Sequence, residues 1–218
     1  MMECFFEQDL RMQTLTTKEE KAAAYRLRHQ VFAEELGWVS SNANNKEIDG
    51  YDSRCVQVGI FAFNRLIACL RIHFSTDRFM LEKEFKTVLG DHQIKKTPQT
   101  IEVTRFCIAN DVRKSQVSTE YGTFPIVMAL EKAFYNWCRT NGKDIVYMVV
   151  SKHFFRLLNL LGMPCTAVSP AVTMPDGVVA VAAISSWTAF EQKNEKKKPA
   201  LLAWFKDYKE WSAEEMVA

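Results

Sequence analysis

Apolar and polar residues alternate along this chain with two different periods, and the changes of period mark its elements. Residues 17–35 keep a helical spacing. Thr17 suits an N-cap, Glu19 and Glu20 suit the positively polarised first turn, and Ala22 to Ala24 favour the interior. Residues 54–62 and 66–74 are dense in Val, Ile, Phe and Cys on either side of Asn64-Arg65, the pattern of a hairpin. Leu81 to Val88 read as a short helix and 100–108, Thr-Ile-Glu-Val-Thr-Arg-Phe-Cys-Ile, as a strand. The spacing then predicts a long helix over about 118–140, a buried strand over 144–150, and a helix over 152–161 that Gly162 would cap. Pro175-Asp-Gly177 is a turn signal between two further strands. The lysines of 193–198 suggest a surface loop, and 200–215 an amphipathic terminal helix.

This order predicts an α/β fold with a mixed, twisted sheet covered by helices on both faces, a three-layer sandwich. Within it, 100–150 is a strand–helix–strand unit, a right-handed crossover whose two strands run parallel. At 218 residues the chain suits one domain, 1–218, with about 193–218 as a terminal extension.

Composition narrows the classes. A chain 48% hydrophobic and 25% charged has the makeup of a soluble globular protein, and a net charge of +2 excludes bulk nucleic-acid binding. No run of about 18 apolar residues is present, so no membrane span is expected. The acidic opening Met-Met-Glu-Cys-Phe-Phe-Glu lacks a secretory leader's pattern, which makes the cytoplasm the expected location. Six cysteines without a C-x-x-C spacing read as packed thiols, and four scattered histidines give no metal set.

Against that background the charges within the apolar runs stand out: Arg28, Glu47, Asp49, Asp52, Arg71, Glu102 and Arg105, beside Phe32, Trp38 and Phe106. Buried charge is costly unless paired or liganded. Two readings follow, an ion-pair network that pins the 36–52 loop to the sheet, or a site for a small zwitterion with a flat ring. Glu102 and Arg105, three apart on a strand, start on opposite faces unless a bulge intervenes. Spacing alone leaves both readings open.

Arg28, Phe32, Trp38, Glu47, Asp49, Asp52, Arg71, Glu102 and Arg105 stand at the intervals of the acyl-homoserine-lactone synthases, the bacterial autoinducer synthases, and the chain resembles that family over about residues 20–165. The stretch Phe79-Met-Leu-Glu-Lys-Glu-Phe85 is similar to the family's segment after the hairpin, whereas Ile101 stands where many members carry tryptophan. The resemblance implies a GNAT-like acyltransferase fold and a quorum-sensing product. It also implies S-adenosylmethionine as a substrate rather than a cofactor, no cofactor, and an acyl-thioester as the other substrate. On that reading Glu102 is the candidate base, through water. Asp49 and Asp52 hold the ammonium and sulfonium charges, and Arg28 or Arg105 takes the carboxylate or orders the acids. Phe32 and Trp38 cover the adenosine or sulfonium, Phe106 offers a wall and a backbone donor, and Glu47 with Arg71 forms a supporting pair.

The donor is read from different residues. Between 100–108 and 144–150 the implied fold opens a cleft for a pantetheine arm. The stretch Val112-Arg-Lys-Ser-Gln-Val-Ser-Thr-Glu-Tyr-Gly122 lacks the glycine pattern of a pyrophosphate loop, which favours an acyl carrier protein over coenzyme A. Carrier proteins are acidic, so Lys152 and Arg156 are docking candidates, with Arg113 and Lys114 as further ones. Val127, Met128, Leu130, Phe134, Met148, Val150, Phe154 and Leu157 are candidates for an acyl pocket, and each is equally suited to ordinary core. A thioether at Met148 cannot donate to a β-keto group, which favours an unsubstituted chain. Competing readings are a related acyltransferase that forms N-acyl amino acids and a binder of S-adenosylmethionine or carrier protein without turnover. A generic acetyltransferase leaves the Trp38-to-Asp52 segment unexplained.

Overall fold

The computed structural model describes residues 4–208. In chain order the elements are β1 (Cys4–Phe6), β2 (Leu10–Thr14), α1 (Lys18–Arg28), β3 (Val56–Ala62), β4 (Arg65–Phe74), α2 (Lys86–Leu89), β5 (Thr100–Ile108), β6 (Gln116–Thr119), β7 (Gly122–Pro125), α3 (Ile126–Thr140), β8 (Ile145–Ser151), α4 (Lys152–Leu161), β9 (Thr166–Ala167), β10 (Val172–Thr173), β11 (Val179–Ser186), α5 (Trp187–Lys197) and α6 (Pro199–Lys206).

Thr17 closes the start of α1 with a reciprocal pair of bonds. Its hydroxyl accepts from the Glu20 N–H at 3.1 Å, and the Glu20 carboxylate accepts from the Thr17 N–H at 2.9 Å. After Arg28 the winding loosens into a π-helical stretch, His29–Glu35, so the helix expected over 17–35 is continuous but changes pitch halfway. The hairpin turns at Phe63-Asn64, one residue ahead of the expected Asn64-Arg65. The helix expected over 81–88 is two pieces, a 3-10 turn at Met80–Glu82 and α2.

Two expectations are corrected. The helix expected from 118 begins only at Ile126, because 116–125 is the β6–β7 hairpin. Gly122 turns it with φ +127°, a value no α-helix holds, and Pro125 in a helix interior would lack its N–H. The lysine-rich run is not a loop, since α5 extends through Lys197. Trp187, Phe190 and the fully buried Asn194 dock that helix, and Asn194 donates to the Gly162 and Phe190 carbonyls at 3.0 and 2.8 Å. The lysines then lie at its C-terminal end, where the helix dipole favours cations. Of the terminal helix expected over 200–215, residues to Lys206 are helical and 209–215 lie outside the described residues.

The main sheet is mixed, in the order β10-β11-β8-β5-β4-β3-β2, with β9 also pairing β11; β1-β6-β7 form a second, small sheet. Residues 66–73 of β4 are all buried, so both faces of the centre are covered. The expected crossover is present: β5 and β8 pair in parallel from Thr100↔Ile145 to Val103↔Met148. There the pairing stops. Past Val103 and Met148 the two strands diverge, and a gap opens between 104–108 and 149–151.

Candidate active site

At the gap β5 carries an extra residue. Arg71 stands opposite Thr104 and Cys69 opposite Cys107, so one residue of β4 faces two of β5, Arg105 and Phe106. Arg105 absorbs the mismatch with φ +54°, a left-handed conformation that costs a non-glycine residue about 1 kcal/mol or more. This is the bulge that would let Glu102 and Arg105 serve one site. Arg71 touches both surroundings: it shares Asp49 with Arg105, and its Nη2 lies 3.3 Å from Sδ of Met80, whose N–H holds Glu102.

Three arginines and three acids close into a ring around that point. Arg28 clasps Asp52 with two bonds of 2.6 and 3.0 Å and reaches Glu47 through Nε at 2.5 Å. Asp52 accepts a further bond of 3.0 Å from Arg71, which clasps Asp49 at 2.6 and 2.9 Å. Arg105 then bridges Asp49 at 3.2 Å and Glu47 at 2.9 Å. Each acid lies between two guanidinium groups, and the formal charges cancel. The arrangement explains how so much charge is buried.

The ring is not equally closed all round. The Arg28 and Arg71 side chains are fully buried, Asp52 and Glu47 nearly so, while Asp49 and Arg105 keep 24% and 14% of their side-chain surface. Asp49–Arg105 is thus the open link. Burial by itself would raise both aspartates, but the Arg71 bonds and charge hold Asp49 below its ordinary value, and Arg28 does the same for Asp52. Glu47 and Arg71, expected as a pair, do not bond one another; each is shared between other members of the ring. The Arg28 and Asp52 side chains are bonded to one another and to further members of the ring, away from its open link.

Glu102 lies outside the ring. It is 1% exposed, and its two oxygens accept the Met80 and Leu81 N–H groups at 2.7 and 2.8 Å, at the start of the 3-10 turn. Burial outweighs those bonds and pushes its carboxyl up to about 7. Directly across the strand pair is His73, a residue the sequence reading passed over. Burial and the Arg71 charge push His73 down to about 3, so its ring is neutral. Its Nε2 lies 2.9 Å from the Thr104 hydroxyl, which also accepts from Arg71 Nε at 3.1 Å. Arg71, His73, Glu102 and Thr104 therefore tile one face of β4 and β5. The two-residue step from Arg71 to His73 was the available signal.

Aromatic rings border the open link. Arg105 lies 5.5 Å from the centre of the Phe32 ring, which stacks at 6.1 Å on the half-exposed Trp38. Phe106, on the bulge, meets Phe154 of α4 at 5.3 Å across the mouth of the gap. Of the acyl-pocket candidates, Val127, Met128, Leu130, Phe134 and Met148 are buried in the main core, Val150 and Phe154 lie at its margin, and Leu157 is half-buried. Lys152 and Arg156 are exposed on α4. Arg113, expected as a further docking cation, is tied to Glu35 at 2.8 Å. Among the described residues no group of three or more His, Cys, Asp or Glu has the arrangement of a metal site, and no helix is long and apolar enough to cross a membrane.

The sequence profile of the autoinducer synthases matches residues 12–193, a span that holds the whole ring, Glu102 and the gap. The chain belongs to the autoinducer synthase family. As a member of that family it is an enzyme, an acyltransferase of the acyl-homoserine-lactone synthase type. An acyl-homoserine-lactone synthase of Rhizobium radiobacter is 27% identical over 156 residues, 71% of this chain and 73% of the relative. One from Aliivibrio fischeri is 29% identical over 150 residues, 67% and 75% of the two chains. The fold is that of the synthases LasI (TM-score 0.69, 22% identity, 81% of this chain and 89% of the other) and BjaI, a CoA-dependent acyl-homoserine-lactone synthase (0.73, 15%, 90% and 99%). An N-acetyltransferase from Lactobacillus plantarum shares it at TM-score 0.56, with 17% identity over 81% and 97% of the two chains, as a GNAT-like sheet requires.

Proposed function

We propose that this autoinducer synthase acylates the amine of S-adenosylmethionine with an acyl group from an acyl carrier protein and closes the product to a lactone, releasing methylthioadenosine. The observation that carries this reading is the placement of the ring's open link. Arg105 lies two residues past the point where β5 and β8 part, so the Asp49–Arg105 edge meets the gap in which a thioester arm would lie.

On this reading Asp49 receives the positive charge of the substrate and Arg105 its carboxylate, between Phe32 and Trp38. The ammonium first gives a proton to Glu102 through water, a task suited to a carboxylate whose pKa is near the working pH. The amine nitrogen then attacks the thioester carbonyl carbon. Negative charge gathers on the carbonyl oxygen, and the N–H groups of Arg105 and Phe106, which lack a register partner on β4, are the donors at hand. Collapse breaks the C–S bond, the nitrogen gives up its extra proton to become an amide, and the departing thiolate takes that proton. The substrate carboxylate oxygen attacks its own γ-carbon, the bond to the sulfonium sulfur breaks, and that sulfur keeps the electron pair as neutral methylthioadenosine departs.

The carrier-protein donor is supported by the start of α3. Pro125 has no N–H, and the Ile126 N–H is spent on the Ser115 carbonyl at 3.0 Å, so the usual cradle for a pyrophosphate is depleted. Lys152 and Arg156 offer an acidic carrier a foothold on α4. The test is to incubate the purified protein with S-adenosylmethionine and matched acyl donors on carrier protein or coenzyme A, following lactone and methylthioadenosine by mass spectrometry. Equal amounts of both products, formed faster from the carrier, are expected. An N-acyl product without methylthioadenosine would overturn the lactone step, and faster turnover of the coenzyme A donor would overturn the choice of carrier.

A further inference from the structure

Thr104 carries the one hydroxyl on the face that Arg71, His73 and Glu102 share, and the acyl-transfer steps above leave it unused. It is half-buried on β5, one residue past Val103, the last to pair with β8. Among the described residues its side chain makes two hydrogen bonds, with Arg71 Nε at 3.1 Å and His73 Nε2 at 2.9 Å. A hydroxyl has two acceptor sites and one proton. A guanidinium only donates, so the Arg71 bond fills one acceptor site. What the second bond takes depends on which nitrogen of the His73 ring bears the proton.

The surroundings of the ring settle that choice. His73 is 1% exposed, and burial with the Arg71 charge keeps it neutral, so it carries a single N–H. Tyr51 packs against the ring at 5.1 Å, and Nδ1 has no hydrogen-bond partner among the described residues. A proton on Nδ1 would be a buried donor without an acceptor. A proton on Nε2 meets Thr104 and leaves only a bare lone pair unmet, the less costly defect in a protein interior. With Nε2–H given to Thr104, both acceptor sites of the hydroxyl are filled, and its own proton is the one left to give.

Glu102 stands two residues back on the same face of β5, about 7 Å along the strand. One bridging water, about 2.8 Å from an oxygen at either end, can span that spacing. We propose that His73 is a positioning residue: by donating to Thr104 it commits the threonine proton to the water that carries a proton from the substrate ammonium to Glu102. This role rests on the acyl-transfer reading above. The water accepts from Thr104 on one lone pair, takes the ammonium proton on the other and gives one of its own to Glu102. One proton has then moved from nitrogen to carboxylate, and the water is restored.

Two measurements test the proposal. Nitrogen-15 NMR of the histidine-labelled enzyme reads the tautomer, with the His73 ring assigned through its contact with Tyr51. A neutral ring protonated at Nε2 is expected. A proton on Nδ1, or on both nitrogens, overturns the proposal, and this arm needs no variant to fold. In steady-state kinetics His73→Leu is expected to lower kcat about tenfold, the weight of one hydrogen bond, with the KM for S-adenosylmethionine unchanged. His73→Gln, whose amide N–H can stand in for Nε2–H, restores most of the rate. In a Thr104→Val background His73→Leu costs nothing further, because the hydroxyl it would aim is gone. A folded His73→Leu as fast as wild type, a loss that glutamine does not restore, or equal losses in the two backgrounds overturns the proposal. Lactone still formed by the wild type in any of those cases leaves the acyl-transfer reading standing; no lactone from any donor brings down both.

Discussion

Glu102 is the residue at which stability and chemistry oppose one another. Its carboxyl, at about 7 in the fold, exceeds the ordinary value near 4.5, so the folded state holds the proton more tightly than the unfolded chain. Stability from this group is therefore full below about 4.5 and declines as pH rises towards 7, by roughly 3 kcal/mol in all at about 1.4 kcal/mol per unit. On the proposed mechanism activity runs the other way, because only the ionised form accepts a proton. Product formation is expected to rise to a plateau with a midpoint near pH 7. Glu102→Gln should keep its fold, lose at least about a hundredfold in rate, and show a flatter dependence of unfolding free energy on pH between 4.5 and 7 in urea titrations. A variant as active as wild type would remove Glu102 from the role of base. Asp49→Asn is a complementary test. Asp49 is the exposed acid of the ring, so its loss should raise the KM for S-adenosylmethionine about tenfold or more with little loss of melting temperature. Arg28→Ala, by contrast, strands two buried carboxylates and should cost about 3–5 kcal/mol of stability. Which residues belonged to the cluster was readable from charge amid apolar runs and from their intervals. Who pairs with whom was not, because Glu47 and Arg71 are brought to their partners by contacts across 19 to 58 residues of chain, which no local spacing encodes.

At the scale of elements the legible parts were those with local causes. The Thr17 cap, the apolar hairpin strands and Gly162 at the end of α4 all follow from neighbours within a turn or two. The errors came where apolar spacing fits two periods. The apolar spacing of α3 was extended backwards to about 118, but Gly122 and Pro125 belong to a hairpin. The α5 helix went unseen because its lysines look like a loop until Asn194 is found buried against Gly162. That contact yields a prediction. Gly162 holds φ +117°, and a Cβ there would come within 2.8 Å of Asn194 Oδ1. Gly162→Ala should lower stability by about 1–2 kcal/mol, seen as a drop in melting temperature, with the donor preference unchanged.

For the molecule as a whole, the mixed sheet, its parallel β5–β8 pair and the gap where they part form one frame, with the charged ring beside the bulge at which the gap begins. The order of elements foretold that frame; the point where β5 and β8 stop pairing depends on the bulge, which only the fold reveals. If an acidic carrier docks on α4, reversing both Lys152 and Arg156 to glutamate should raise the KM for the carrier-bound donor tenfold or more and remove most of its salt dependence. The rate with a small thioester that makes no such contact should stay as it was. Equal losses with both donors would place these cations in the fold rather than at the docking surface.

The closed ring carries one more consequence. Six alternating charges joined end to end form a neutral circuit, so a guest of one sign alone would upset its alternation. A lone cation at Asp49 would have to displace Arg105 and leave it unanswered, and a lone anion at Arg105 would do the same to Asp49. A molecule bearing both signs at the right separation can answer Asp49 and Arg105 at once and leave the alternation of the ring intact. On the proposed function the ring would select a substrate by the signs it carries before its shape.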